Sequence, residues 1–74
     1  MKLYGSFEEK GYQVEAYIPS SSSEPMQFHL KALKDGKLVK EMKIPLNHEP
    51  IFGVDTEDHQ NLEAKTEELM QSLP

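Results

Sequence analysis

Residues 26–44 have the sequence MQFHLKALKDGKLVKEMKI, in which two stretches of alternating apolar and polar side chains flank the dipeptide Asp-Gly. Alternation with a period of two is typical of a β-strand that has one buried face. Asp-Gly between two such stretches is a strong short-range signal for a hairpin, because Gly36 can adopt the positive φ angle that a tight turn needs. We therefore predict two antiparallel strands joined at this turn.

The length of the turn sets the register of this hairpin. A two-residue loop would place Phe28 opposite Lys43. A three-residue loop over 34–36, closed by a glycine bulge, pairs Phe28 with Met42 instead. With that loop every inward position is apolar except Lys40, so we predict the three-residue loop.

The N-terminal part of the chain has the same organisation around a second turn signal, Lys10-Gly11. A two-residue loop there pairs Leu3 with Ile18 on one face and Tyr4 with Tyr17 on the other. The first of these faces collects the apolar residues Leu3, Phe7, Tyr12, Val14, Ala16 and Ile18. We predict that this face is the buried one.

A helix follows the strands. Pro45 and Pro50 end the sheet, because proline cannot donate to a strand ladder. Asp55 or Thr56 is a favourable N-cap, and residues 56–72 have a helical pattern. One side of that helix carries Leu62, Thr66, Leu69, Met70 and Leu73, and the opposite side carries Glu63, Glu67 and Gln71.

The predicted fold is α+β, with a four-stranded antiparallel sheet of two hairpins, meander-like, and one C-terminal amphipathic helix on one face. We predict a single domain over 1–74, with the sheet over about 2–46, a connecting loop over 47–55 and the helix over about 56–72. A chain of 74 residues has room for one small core. Three of its members should be Phe28, Met42 and Leu69.

Composition excludes several classes of protein. The chain has 8 Lys+Arg and 13 Asp+Glu, a net charge of −5, and 36% hydrophobic residues, which fits neither a disordered chain nor a dedicated nucleic-acid binder. It has no cysteine, so disulfides and thiolate metal sites are excluded. The opening MKLYGSFEEKG has no apolar segment of a signal peptide, and no apolar run approaches the ~20 residues of a membrane helix. We expect a soluble cytoplasmic protein with no membrane partner.

The C-terminal part is acidic, since residues 47–74 carry one lysine and seven acids. Its candidate metal ligands are His48, Glu49, Asp55, Asp58 and His59. Imidazole and carboxylate together can hold a divalent ion, but this spacing matches no known ligand signature. We therefore expect no metal and no cofactor, and keep a metal- or small-ligand-binding domain as an alternative function. A weaker alternative is an acidic mimic of nucleic acid.

We expect no enzymatic activity and assign no catalytic residue, because no serine lies in a nucleophile motif and the glycines form no phosphate loop. The second hairpin carries five evenly spaced lysines, namely Lys31, Lys34, Lys37, Lys40 and Lys43. Such a ribbon suits phosphate, but the acidic total and the absence of arginine favour protection of an exposed edge strand. We expect no nucleic-acid partner.

Several side chains are left on the outward face of the predicted sheet. They are Tyr4, Tyr17, His29, Leu33 and Val39, with His29 opposite Glu41. Aromatic and aliphatic residues grouped on one surface are typical of a protein interface. The function we expect is therefore a non-enzymatic protein-interaction module that acts through the outward sheet face or the sheet edge, with another protein or a weak homodimer as partner.

Overall fold

The computed structural model describes all residues, 1–74, and contains four β-strands followed by one α-helix. The elements, in chain order, are β1 (Lys2–Glu9), β2 (Tyr12–Ile18), β3 (Gln27–Lys34), β4 (Lys37–Pro45) and α1 (Thr56–Gln71). Each strand is antiparallel to the next, and the sheet has the order β1-β2-β3-β4. The predicted α+β fold is confirmed, with the hairpins joined into a meander. With 16 residues and many charged side chains, α1 is too short and too polar to span a membrane.

The core lies between the sheet and α1. Buried and accessible residues alternate along β2 and β3, as expected for strands with one covered face. Phe28 and Leu69 are fully buried as predicted, whereas Met42 is only partly buried and packs against the core. The other members of the core are Val14, Ala16, Ile18, Leu30, Ala32, Ile44, Leu46, Leu62 and Met70.

The turn of the second hairpin differs from the prediction. Lys34 pairs with Lys37, so the loop has two residues, and Asp35 and Gly36 both have positive φ angles, 52° and 78°. Aspartate and glycine tolerate this left-handed region, which the tightest hairpin turns require at both central positions. The predicted three-residue loop over 34–36 is wrong.

A β-bulge in β4 then moves the pairing by one residue. Leu33 pairs with Leu38 next to the turn, whereas further along Phe28 pairs with Ile44. The extra residue, Val39, returns the apolar side chains of β4 to the helix side. The predicted inner face of β3 is therefore right although its predicted partners are wrong. Leu38 lies on the outer face rather than on the helix side, and it is half exposed.

The first hairpin has the predicted turn, with a φ angle of 82° at Gly11. It also has the predicted register as far as Gly5, which pairs with Ala16. The register then shifts between Leu3 and Gly5, so that Leu3 pairs with Tyr17 on the outer face. Because of this bulge in β1, the residues that precede it lie on the opposite face of the sheet from the one predicted for them.

Tyr4 is the extra residue of this bulge. Its ring lies 5.7 Å from the ring of Phe28, on the helix side of the sheet. Tilted aromatic pairs at this distance are favourable, and half-burial of the ring adds hydrophobic stabilisation. The predicted placement of Tyr4 on the outward face, opposite Tyr17, is wrong.

The helix begins at the predicted cap. The side chain of Asp55 accepts a hydrogen bond of 2.9 Å from the backbone N–H of Glu57. Farther along, α1 approaches β4, where Nζ of Lys40 donates to Oγ of Ser72 at 2.6 Å. This contact gives the predicted inward lysine a polar partner. Because α1 lies toward β4, it does not cover the helix-side face of β1.

Candidate protein-binding groove

A groove with a volume of about 470 Å³ lies between β1 and the side of α1 that faces it. Its apolar lining comes from both layers and consists of Tyr4, Phe7, Val14, Ala16, Leu30, Leu62 and Met70. Phe7 is expected in the core from the sequence, but 42% of its surface is exposed in the groove. We call this feature the β1–α1 groove.

The β1–α1 groove is open because small and polar residues occupy the positions where the two elements face each other. Gly5 has no side chain, and no atom lies within 4 Å of the place that its Cβ would occupy. On the helix, the hydroxyl of Thr66 turns back and donates a hydrogen bond of 2.7 Å to the carbonyl of Leu62. Neither residue fills the space above β1.

The rim of the β1–α1 groove is acidic. Three carboxylates and no lysine are among its lining residues, and the carboxylates belong to Glu9, Glu63 and Glu67. All three residues are exposed. Charges of one sign around a concave apolar wall concentrate ions of the opposite sign. The groove thus combines apolar contact area with attraction for cations.

A hydrogen-bonded pair closes one end of the groove. The hydroxyl of Tyr4 lies 2.6 Å from Nδ1 of His59, and Nε2 of the same ring lies 3.3 Å from Oε1 of Glu63. An ionised carboxylate only accepts hydrogen bonds, so Glu63 favours the tautomer that carries its proton on Nε2. Nδ1 is then the acceptor for the tyrosine hydroxyl. The pair therefore joins the bulge of β1 to the first part of α1.

The strand beside the groove is also an edge of the sheet, and the two edges are protected differently. β4 has the bulge at Val39, the proline at its end, and lysines at 37, 40 and 43. Such features discourage pairing with another strand. On β1 the bulge precedes Gly5, and residues 5–9 keep a regular register with no proline and no lysine. This five-residue stretch, the edge segment, carries only the carboxylates of Glu8 and Glu9 as protection, so it is the less protected of the two edges.

The outward face of the sheet holds three of the predicted interface residues, Tyr17, His29 and Leu33, but it separates them, and Val39 lies in the bulge of β4. Tyr17 and His29 lie side by side at one end, and Leu33 lies at the other end near Val39. Glu15, Lys31 and Glu41 form a charged row between the two groups.

The outward side chains also bond to one another. The Tyr17 hydroxyl donates to Glu15 at 2.9 Å, and the ammonium of Lys31 lies 5.2 Å from the Tyr17 ring centroid. Nε2 of His29 lies 2.8 Å from Oε2 of Glu41. The hydrogen bond to Glu15 raises the pKa of Tyr17, and the hydrogen bond with His29 lowers the pKa of Glu41. This face is a polar network with aliphatic residues at one end.

The candidate metal ligands are only partly brought together. Nδ1 of His48 lies 3.3 Å from Asp58 and 3.6 Å from Asp55, whereas His59 contacts Tyr4 and Glu63 instead. No group of three or more metal-ligating side chains has an arrangement that could hold an ion. Glu49 is exposed on the loop and bonds to none of the other candidates.

Asp58 has a different role that the sequence does not reveal. Its side chain is fully buried, and its two oxygens accept hydrogen bonds of 3.0 Å from the backbone N–H groups of Asn47 and His48. Burial alone would raise the pKa of Asp58, but these donors and the His48 ring outweigh it and lower the pKa. The carboxylate therefore anchors the loop after β4 to α1.

Sequence reasoning places Phe7 correctly on the helix side but misses that the helix does not cover it. A usable signal is the polar composition of the α1 side that carries Glu63, Thr66 and Glu67, which cannot bury an opposing phenylalanine.

Comparisons with protein-family models, with curated proteins and with solved structures return no match to this chain.

Proposed function

We propose that this protein is a non-enzymatic interaction module that binds a segment of a partner protein along β1 and in the β1–α1 groove. The observation that carries the proposal is the coincidence of a regular edge segment, without proline or lysine, with an apolar groove on the same strand. Strand edges bind through main-chain hydrogen bonds, and adjoining pockets select the side chains of the bound segment. We place this activity in the cytoplasm.

The proposal assigns structural roles to the hydrogen-bonded titratable side chains. In the β1–α1 groove the His59 ring already lies between Tyr4 and Glu63, and it joins two elements of the fold. Asp58 is likewise engaged by backbone donors. These side chains link elements of the fold, and the proposal gives them no catalytic role.

The edge is favoured over the outward face as the binding surface. Tyr17 and His29 already have partners on the outward face, and a bound protein would have to replace or bury those hydrogen bonds. The edge segment offers unpaired main-chain groups instead, and its own Phe7 offers exposed ring surface. Binding there adds contacts without breaking any.

Homodimerisation is the second arrangement that uses this edge. Two copies that pair β1 with β1 would bring the carboxylates of both grooves close together, which opposes association at low salt. Sedimentation over a concentration series, at low and at high salt, measures this directly. We expect a monomer at low salt, so binding of a different chain is the favoured arrangement.

The test is a selection of ligands from a random peptide library, followed by mapping of their binding through backbone amide NMR signals. We expect the selected peptides to shift signals of residues 5–9 and of Thr66. Phe7→Ser should weaken their binding at least tenfold, which corresponds to about 1.4 kcal/mol. Leu38→Ser is the matched control, because Leu38 is 51% exposed on the opposite edge strand. Shifts confined to the outward face, or equal losses in both variants, would overturn the proposal.

A further inference from the structure

We infer that the segment bound at this site is an extended strand in which apolar and cationic side chains alternate along one face. The inference rests on the proposed function and adds the chemistry of the partner. It follows from three properties of the site: the register of residues 5–9, the apolar space in the groove beside them, and the sign of the surrounding charge.

The register fixes where the side chains of an added strand would lie. Gly5, Phe7 and Glu9 pair with the helix-side residues of β2, so they face the β1–α1 groove, whereas Ser6 and Glu8 face outward. A strand added to β1 continues this alternation, since successive side chains point to opposite faces. Every second side chain of the bound segment therefore enters the groove.

The groove accepts an apolar side chain at its centre. Phe7 is the only apolar side chain of the edge segment on this face, and its ring is partly exposed. The missing side chain of Gly5 leaves room next to it. A leucine-sized side chain opposite Phe7 would bury apolar surface on both partners, worth ~25 cal/mol per Å² before the costs of ordering the segment are subtracted.

The charges around this centre select cations. Glu9, Glu63 and Glu67 lie at the groove, and Glu8 faces the outward side of the same edge. A lysine or arginine two positions from the central apolar residue would reach the acids of the groove. Such pairs at a solvated rim raise the association rate and exclude acidic segments.

The probe is a seven-residue peptide with a central leucine, lysines two positions away on each side, and threonine elsewhere. Its matched controls replace both lysines with glutamine or with glutamate. We expect the lysine peptide to bind at least tenfold more tightly than the glutamate peptide in about 20 mM salt, and the ratio to fall in about 500 mM salt because exposed charges are screened. On binding, amide hydrogen exchange should slow in residues 5–9 and not in β4.

Two double variants test the source of the selectivity. Glu9→Gln with Glu67→Gln should remove most of the preference for lysine, since both acids border the groove. Glu49→Gln with Glu57→Gln makes the same change in net charge at exposed positions away from the groove and should leave the preference intact. Equal loss in the two double variants would mean that only net charge matters, and it would overturn the inference.

The outcomes also separate this inference from the proposed function. If all three peptides bind equally at residues 5–9, the cationic chemistry is wrong and the binding site stands. If library-selected peptides bind in the groove without slowing exchange at residues 5–9, the added strand is wrong. If no peptide perturbs the edge segment or the groove, the proposed function itself fails.

Discussion

The hydroxyl of Tyr4 lies 2.6 Å from Nδ1 of His59, and their rings meet edge to face with centroids 5.8 Å apart. Tyr4 is the extra residue of the bulge in β1, and His59 lies in the first part of α1. The bulge is therefore what turns the tyrosine toward the helix. This contact sets the distance between the edge strand and the helix at one end of the β1–α1 groove.

Tyr4→Phe removes this hydrogen bond and keeps the ring. We expect the free energy of unfolding to fall by about 1 kcal/mol, the usual net value of one hydrogen bond. The ring nitrogen signals of His59 should also shift in NMR spectra, because Nδ1 loses its donor. Tyr17→Phe is the control, since the Tyr17 hydroxyl bonds to Glu15 in the same strand and links no two elements. Unchanged His59 signals in Tyr4→Phe would contradict the assigned contact.

Phe28 and Phe52 give a matched test of the core. Phe28 is fully buried, whereas Phe52 is completely exposed on the loop before α1. Phe28→Ala should lower the free energy of unfolding by about 3–5 kcal/mol, because a large cavity replaces the ring. A loss of that size could unfold a domain this small. Phe52→Ala should leave stability to urea nearly unchanged, and comparable losses in the two variants would contradict the assigned core.

The faces of the strands could be predicted from the sequence, but their partners could not. Alternation along residues 27–34 identifies the buried side of β3, because a one-residue slip would expose Phe28 and Leu30. The bulges at Tyr4 and Val39 carry no comparable signal. A bulge adds one residue to a strand at a small cost in free energy wherever the surrounding contacts favour it. The position of a bulge is therefore determined by packing across the sheet.

The β1–α1 groove could not be predicted for a related reason. The sequence identifies an apolar side of the helix and an apolar side of the sheet, but it does not give the position of the helix over the sheet. That position depends on pairwise contacts such as Lys40 with Ser72 at the β4 side and Tyr4 with His59 at the β1 side. The register alone leaves the predicted interface residues on the side of the sheet that has no helix, so the sequence points to that face instead of the groove.

From the conformation of the second hairpin turn, we predict that replacing Gly36 and replacing Gly5 by alanine have different effects on stability. Gly36 has a φ angle of 78°, in the left-handed region, whereas Gly5 does not have a positive φ. Gly36→Ala should therefore cost roughly 1–2 kcal/mol of stability, the penalty for a side chain in that region. Gly5→Ala should be neutral or slightly stabilising, because space is free around its Cβ and strands disfavour glycine. Urea denaturation of both variants measures the difference, and equal costs would contradict the two-residue turn.

The lowered pKa of the buried Asp58 carboxylate predicts how the free energy of unfolding depends on pH. Its carboxylate is buried and accepts the backbone N–H groups of Asn47 and His48, and its pKa in the folded chain lies below the ordinary value of 3.8. A carboxyl group with a lowered pKa stabilises the fold above the unfolded-state pKa. The stabilisation is lost as the pH falls through the lower, folded-state pKa. Asp58 should therefore contribute fully at neutral pH and lose its contribution in strong acid.

Asp58→Asn isolates this contribution. The amide keeps the shape of the side chain, but its NH₂ group faces one of the two N–H donors, so that donor is left unpaired in a buried position. We expect the free energy of unfolding at pH 7 to fall by about 2–3 kcal/mol, the usual cost of losing a hydrogen bond to a buried charged group. In strong acid, below the folded-state pKa, the parent carries a protonated carboxyl group with the same defect, so the difference between parent and variant should shrink as the pH falls. Glu49→Gln, at an exposed position, should show no such change between the two pH values. Urea denaturation at both pH values measures these differences, and a loss in Asp58→Asn that does not depend on pH would show that the charge of Asp58 does not stabilise the loop.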